Sequence, residues 1–389
     1  MPEWSNWSGS VRATPVRVEA PRTEAEVQDL VRRAAADGLA VRPAGTRHSF
    51  VPLCATDGVA VDLYHLTGVE RIDGDVATIA GGTRIADIGE TLRAAGLSLH
   101  NQGDIDVQTV TGAIGTGTHG TGPTLGNLPS GVCGLRVVTG SGDLVECSPT
   151  TEPDLFEAAR LSLGALGIIT AVSFRCLPAY NLHERIWFEG PDESLAAITE
   201  RVAATRHYEF FWHPSRDLFE HKTLAVTDAE PDLLPDRKRE YVDHSHRVFP
   251  SVREAKFNEM EYSIPADAGI ACFTEIRALM QECYPDVQWP VEYRTLAADT
   301  VWLSPALGRP TVTISIHEDA SRPYDALFGD CEAVFRAYDG RPHWGKVHNR
   351  TAADLAPTYE RWDDFWRTRA AFDPDGRFLN DHLRTVGGL

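Results

Sequence analysis

The sequence predicts an α+β protein, and three observations carry that expectation. Its 389 residues exceed the usual single-domain size, so two domains, or one with a large insertion, are expected. Residues 16–63 read as strand, helix, strand, loop, strand, which is α/β organisation. Beyond that unit the chain reads as a hairpin at 135–147 and a period-two strand at 311–317.

Taken in order, Pro15-Val16-Arg17-Val18-Glu19 alternates apolar and polar at strand period, and Thr23-Glu24-Ala25-Glu26 reads as a capping box opening a helix. Val27, Leu30, Val31 and Ala34 recur at helical spacing, and Gly38 ends the helix. Leu39-Ala40-Val41-Arg42 returns as a strand and delivers the chain into a bare loop, Pro43-Ala44-Gly45-Thr46-Arg47-His48-Ser49-Phe50. The pattern repeats loosely, with 76–80 as strand, Gly81-Gly82 as turn, and 85–95 as a helix closed by Gly96. A hairpin follows at 135–147, then a helix over 154–160 and a glycine-interrupted strand in 163–172.

Composition limits the function. An apolar content of 42% and a charged content of 24% are those of an ordinary globular protein, and no repeat is present. The net charge of -19 and pI near 5.1 argue against DNA, RNA or anionic membranes, because neutralising phosphates needs clustered Lys and Arg. A small neutral or cationic substrate fits better. Seven cysteines without a C-x-x-C pair speak against a disulfide framework and a structural zinc site, and no metal is expected. The N-terminus has neither a basic n-region nor an apolar h-region, and no apolar run approaches membrane-spanning length. A cytoplasmic protein, monomeric or a small homo-oligomer, is the expectation.

Two glycine-rich stretches carry the chemistry. In the first, Gly45 lets backbone N–H groups approach an anion closely, and His48 beside it is suited to act as ligand, base or nucleophile. Alone, this stretch reads better as a polar turn with an incidental histidine. The second, Thr111-Gly112-Ala113-Ile114-Gly115-Thr116-Gly117-Thr118-His119-Gly120-Thr121-Gly122, reads as a loop. Gly115-x-Gly117-x-x-Gly120 satisfies the dinucleotide fingerprint as a string, but Thr121-Gly122-Pro123 follows where a helix should open, so a Rossmann unit is rejected. Two such loops in one α/β region suggest a long phosphate-bearing cofactor held by backbone.

The ordered set PAGTRHSF, TGAIGTGTHGTG and LGALGIITAV resembles the FAD-binding domain of vanillyl-alcohol-oxidase-type flavoproteins. Pro290-Val291-Glu292-Tyr293-Arg294 and Arg341-Pro342-His343-Trp344-Gly345-Lys346 narrow the resemblance to the aldonolactone oxidoreductase and alditol oxidase branch. It implies an FAD domain over 1–178 in two subdomains, a substrate domain over 179–335 with a mostly antiparallel sheet and covering helices, and a segment at 336–389 that returns to the first domain and carries the HWGK stretch. It also implies FAD tethered through His48. Members mostly carry glycine just before that histidine, where this chain has Arg47. Pro43, Ala44, Gly45, Thr46, Arg47 and Ser49 would line the cofactor, as would Gly112, Ala113, Gly115, Thr116, Gly117, His119 and Gly120. Gly167 and Ile169 would lie near its adenosine part, and His343 at the flavin.

The implied reaction takes hydride from a CH–OH carbon of a sugar lactone or polyol, with dioxygen as acceptor and hydrogen peroxide as product. A dehydrogenase using another acceptor, or an oxidase of a specialised secondary-metabolite alcohol, are the alternatives. On 311–317 the apolar residues share one strand face, and Thr311, Thr313, Ser315 and His317 share the other. Glu292 and Arg294, two apart, point the same way. They are assigned to substrate oxygens, with a surface ion pair as the alternative. His317 and Lys346 are the acid/base pair, and which is the immediate base is left open. Met260 and Tyr262, in a family-like stretch at 259–265, read equally as core. Ala113 and Asp319 depart from the alditol oxidase pattern and are expected to tune the substrate.

Overall fold

The computed structural model describes residues 3–233, 235, 237, 239–251 and 255–389. Met1 and Pro2, where the expected first domain begins, lie outside the described residues.

A short hairpin, β1 (Trp4–Ser5) and β2 (Arg12–Ala13), precedes a parallel three-stranded unit of β3 (Arg17–Glu19), α1 (Glu24–Ala36), β4 (Val41–Pro43) and β5 (Val59–Val61), in order β3-β5-β4. The four apolar residues of α1 are buried, and Gly38, at φ +69°, takes the left-handed turn after it. The capping box is half formed. Thr23 accepts the Glu26 N–H at 3.1 Å, whereas the Glu26 carboxylate takes the Arg22 N–H at 2.7 Å. The strand alternation at 15–19 pointed the wrong way. Val16 and Val18 are exposed, and Arg17 and Glu19 pair with each other.

The α/β alternation stops there. β6 (Val69–Asp73), β7 (Val76–Ala80), β9 (Val132–Val138), β10 (Leu144–Cys147) and β11 (Ile168–Arg175) form an antiparallel sheet in order β10-β9-β11-β7-β6. The expected helix over 85–95 is a 3-10 turn, Ile85–Asp87, followed by α2 (Gly89–Ala94). Short β8 (Leu97–Ser98) pairs with β12 (Leu177–Pro178). The second glycine-rich stretch is not all loop, because α3 (Val110–Thr116) occupies its first half, with Thr109 as N-cap and left-handed Gly117 closing it. The fingerprint therefore ends a helix. Together with α4 (Pro153–Ala159), these elements surround the largest apolar core.

The third sheet has eight antiparallel strands. They are β13 (Asn181–Glu189), β14 (His207–His213), β15 (Leu218–Thr227), β16 (Glu240–His244), β17 (Phe257–Pro265), β18 (Val291–Leu296), β19 (Thr311–Asp319) and β20 (Arg341–Pro342), in order β16-β13-β15-β14-β18-β19-β17-β20. Between them run α5 (Pro191–Ala204), α6 (Ser245–Val248), α7 (Gly269–Cys283) and α8 (Asp325–Ala337). Period-two alternation splits the residues of this sheet. Phe210, Trp212, Met260, Tyr262, Tyr293, Ile314 and Ile316 pack with α7 and α8 into a second core. Glu209, Glu259, Glu261, Glu292, Arg294, Ser315 and His317 lie at the alternate positions, and the register sets Ser315 opposite both Glu292 and Glu261.

The chain then returns. α9 (Ala352–Leu355), α10 (Trp362–Phe372) and α11 (Asp381–Gly387) contribute Leu355, Phe365 and Leu383 to the first core. Val41 N–H donates to Arg377 O, and Asn380 to the carbonyls of Pro52 and Ala55. All seven cysteines are free thiols. No helix among the described residues is long and apolar enough to cross a membrane.

Candidate active site

Two adjoining cavities share His48, Ser49, Gln108 and Thr116, so His48 stands at their junction. One, of about 850 Å³, is enclosed by residues 42–49, the Gly81-Gly82 turn, α3 and the stretch from Ser162 to Ile169. The other, of about 1110 Å³, lies against the polar face of the eight-stranded sheet.

The loop-lined cavity is a backbone cradle. The N–H groups of Gly45 through Ser49 donate to no acceptor among the described residues, as an incoming anion requires. A Cβ on Gly45 would sit 2.3 Å from Thr109 Oγ1, so only glycine lets this loop close on α3. His48 is held neutral, its pKa pushed down to about 4 by burial and by the charge of Lys346, and its Nδ1 is buried without a partner. An elongated cradle with unused donors, ending at an unpaired imidazole, fits the phosphates and ring system of FAD.

Pro43, Ala44, Gly45, Thr46, Arg47, Ser49, Gly112, Gly115, Thr116, Gly167 and Ile169 all line this cavity. Five expected residues do not. Ala113 is fully buried in the first core. Gly117 caps that helix against Leu161, and Gly120 packs against Gln102 and Asn101, whose atoms a Cβ would strike. His119 and His343 line the sheet-lined cavity instead.

In that cavity the charges are paired across strands. His317 Nδ1 lies 2.8 Å from the Pro290 carbonyl, and a carbonyl can only accept, so Nδ1 holds a proton and Nε2 is the nitrogen left to exchange one in the cavity. Glu259 Oε1 is 3.6 Å from that Nε2, and the other oxygen of Glu259 is bonded by Lys346. Burial opposes ionisation of Glu259, but the charges of Lys346 and His317 outweigh it and hold the carboxyl below its ordinary range. Lys346 is thus a paired cation, and the expected His317–Lys346 couple is a triad around a carboxylate. Glu259 had one signal in the sequence, its place two residues before Glu261 on a strand whose intervening Met260 is core.

Glu261 accepts from His119 Nε2 at 2.7 Å and Ser315 Oγ at 2.8 Å. Burial opposes its charge, yet His119, His343 and Lys346 hold it well below the usual carboxylate range. His343 accepts the Gly345 N–H at 3.0 Å, and burial lowers it to about 4. Gly345 O takes the Phe50 N–H at 2.7 Å, while the N–H groups of His343 and Val347 donate to β17. Residues 343–347 are therefore stitched between the His48 loop and the sheet. Trp344 points away, its Nε1 donating to Leu303 O within the first core.

Glu292 and Arg294 are bonded to each other, but they are 3% and 8% exposed, which removes the surface ion-pair reading. Glu292 Oε1 has no hydrogen-bond partner among the described residues and belongs to the cavity wall. Behind Arg294 lies Glu209, 3.8 Å from Nε, and Lys222 is 3.0 Å from Glu209. Burial resists the charge of Arg294, and Glu292, Asp104 and Glu209 more than restore it. One atom each of Glu259, Glu292 and His317 lie within 4.8 Å of one another. That focus can hold a substrate hydroxyl, with Lys346 and Arg294 already supplying two cations against the carboxylates. Asp319 is not part of it; its carboxylate accepts from Ser321 in the turn after β19. Phe211, His213, Glu220 and Trp289 form the outer wall, none of them expected from the sequence.

Comparison with known proteins gives an independent view. Residues 15–148 match the family model described as FAD binding domain, and residues 225–386 the one described as D-arabinono-1,4-lactone oxidase. L-gulono-1,4-lactone dehydrogenase of Mycobacterium tuberculosis is 34% identical over 100% of this chain and 99% of its own. Alditol oxidase of a Streptomyces species is 30% identical, covering 98% of each, and mouse L-gulonolactone oxidase 27%, covering 99% and 98%. In fold, the chain superposes on cholesterol oxidase from B. sterolicum with a TM-score of 0.86 over 99% of this chain and 96% of that one, at 17% identity.

Proposed function

Because the chain belongs to the aldonolactone oxidase and alditol oxidase family of FAD-linked oxidoreductases, we propose that it oxidises a CH–OH group of a sugar-derived lactone or polyol, with dioxygen as acceptor and hydrogen peroxide as product. The observation that carries this reading is the focus of Glu259, Glu292 and His317 in a cavity that meets the backbone cradle at His48. When bound, FAD supplies the hydride acceptor and the route for the electrons.

His317 Nε2 takes the hydroxyl proton. The Pro290 carbonyl supports this role by fixing the tautomer, and Glu259 Oε1 is placed to stabilise the imidazolium that results. Lys346 holds Glu259 in place and puts a positive charge where an alkoxide develops. Arg294 donates to ring or hydroxyl oxygens, and Glu292 Oε1 accepts from a neighbouring hydroxyl. Ser49 and His343 complete the wall at the junction, and His48 carries the tether. Ala113 and Asp319 do not line the cavity, and Asp319 reaches it only through its hydrogen bond to Trp289. Selectivity falls to Phe211, His213, Glu220 and Trp289, which face the rest of the substrate.

The 34% identical relative named a dehydrogenase favours a second reading, the same oxidation with an acceptor other than oxygen. One experiment tests both. The purified protein is mixed anaerobically with aldonolactones, alditols and simple secondary alcohols while flavin absorbance is followed, and oxygen is then admitted. Bleaching by a lactone or polyol, with rapid recovery and peroxide, is expected. Slow recovery that a quinone or dye accelerates would make it a dehydrogenase. No bleaching by either class would remove the substrate assignment.

A further inference from the structure

The loop that carries His48 has an unusual backbone. Arg47 is left-handed, at φ +67°, a conformation that disfavours any side chain but suits glycine. Three contacts hold it there, all outside the loop. Its carbonyl accepts the Trp7 N–H at 2.8 Å, its guanidinium lies 5.6 Å from the ring centre of Trp4, and Asp62 is 3.9 Å away. Buried Asn6 completes the attachment. Its Oδ1 accepts the Gly9 and Val11 N–H groups, closing the N-terminal hairpin, and its Nδ2 donates to Ser49 O at 3.0 Å.

No hydrogen bond among the described residues fixes the rotation of the His48 ring, whose Nδ1 is buried without a partner. The ring torsion of histidine is broad, so something else must set the plane. Trp7 is stacked on it, with centroids 5.2 Å apart and planes 25° from parallel. Trp7 is in turn wedged edge-on against Phe257 at 5.2 Å and Phe50 at 6.4 Å. We propose that Trp7 is a positioning residue that sets the His48 imidazole for covalent attachment of the flavin, with the N-terminal hairpin clamping Arg47 in the left-handed turn this requires.

The inference rests on the reading of His48 as the tether. Attachment joins an imidazole nitrogen to the methyl carbon on the benzenoid ring of the flavin. One N–H and one C–H proton are lost, and the two electrons pass through the ring to dioxygen or the enzyme's other acceptor. The cradle that binds FAD does not include Trp7, so binding and attachment are separable.

Wild type, Trp7→Ala, Trp7→Phe and His48→Ala are purified, their thermal melting is compared, and flavin is counted in pellet and supernatant after acid precipitation. Each protein is also incubated with excess FAD and the growth of pellet-bound flavin timed. Trp7→Ala should melt near wild type and still bind FAD, yet incorporate it covalently about 10²-fold more slowly, the scale of a misplaced reacting group. Trp7→Phe keeps a stacked ring and should recover most of the rate. Equal rates in wild type and Trp7→Ala overturn the proposal, as does a Trp7→Ala that melts normally but binds no FAD at all. A Trp7→Phe no faster than Trp7→Ala removes the stacking role. If wild type releases its flavin into the supernatant, or His48→Ala keeps a yellow pellet, the tether reading itself fails, a result visible without either Trp7 variant.

Discussion

Lys346 and His317 are parts of one buried charge cluster. They meet through Glu259, which is 3% exposed and shares its two oxygens between them. Removing one member of a buried charge pair leaves the other uncompensated, so the triad behaves as a unit. Glu259→Gln keeps the shape and removes the charge that would stabilise a protonated His317. Its flavin-reduction rate is expected to fall by about 10²-fold, the usual worth of placed acid–base help. Lys346→Met should fall by a similar factor, and the double variant by little more than either. Stopped-flow reduction measures all three, and additive losses would show that the residues act independently. The sequence revealed the ends of this triad because histidine and lysine stand out on polar strand faces and in the HWGK stretch. It hid the centre because a carboxylate on a strand reads as surface until a cation from another segment is seen beside it. Ala113 and Asp319 were chosen by departure from a pattern, which does not say where a side chain packs. Ala113 lies in the first core, and Asp319 holds the turn after β19 and meets the cavity wall only through Trp289.

At the scale of elements, the cradle depends on a residue behind it. Arg42 on β4 is 1% exposed, and its guanidinium donates to the carbonyls of Leu53, Leu163, Gly164 and Phe378. Leu163 and Gly164 are consecutive left-handed residues, at φ +54° and +63°, so the stretch they begin would not hold its course unaided. Burial lowers Arg42 to about 10, which leaves it charged at neutral pH. Arg42→Met fills the space but takes the guanidinium donors from four carbonyls, of which only Leu53 O keeps another among the described residues, Asn380 Nδ2 at 3.3 Å. A destabilisation of about 3 kcal/mol is expected, with weaker FAD retention because Leu163 and Gly164 line the cavity. Denaturant unfolding and flavin content measure the two effects, and a loss below about 1 kcal/mol would refute the role. Elements with a strong apolar period were legible: α1, the 132–147 hairpin and the alternation of β19 emerge where expected. Short elements were not. β3 keeps only three residues and turns its valine outward, because Arg17 and Glu19 gain ion pairs that the period does not record. Helix over the first half of the glycine-rich stretch was missed because an N-capping Thr109 and tight packing overrode the low helix propensity of glycine.

On the scale of the whole molecule, two opposing electrostatic trends meet below neutral pH. A chain of net charge -19 and pI near 5.1 loses self-repulsion as it is acidified, which favours the compact state. Against this stand His48, His207, His221, His343 and His348, each lowered to about 4, and His382, lowered to about 3, all by burial first. An unfolded histidine titrates near 6.5, so between that value and about 4 the unfolded chain binds more protons than the native one. The stability these six contribute is complete above pH 6.5 and declines as pH falls, by about 1.4 kcal/mol per unit for each group. Glu209, raised to about 7 by burial, has the opposite sign and gains as pH falls; Glu184, Asp62, Asp106 and Asp299 are raised by burial too, but from ordinary values near 4, so they act mainly at the acid end of this window. Surface repulsion is screened over about 8 Å at physiological salt, whereas buried imidazoles are not, so the histidines should prevail. Four of the six were invisible as buried groups in the sequence, since His207, His221, His348 and His382 are enclosed only when distant segments pack. The expected outcome is a melting temperature on a plateau above pH 7 that falls on the order of 10 °C by pH 5 in 0.15 M salt. Differential scanning measurements across that range decide it. A melting temperature that rises on acidification would mean that surface charge, not buried histidine, governs the stability of this fold.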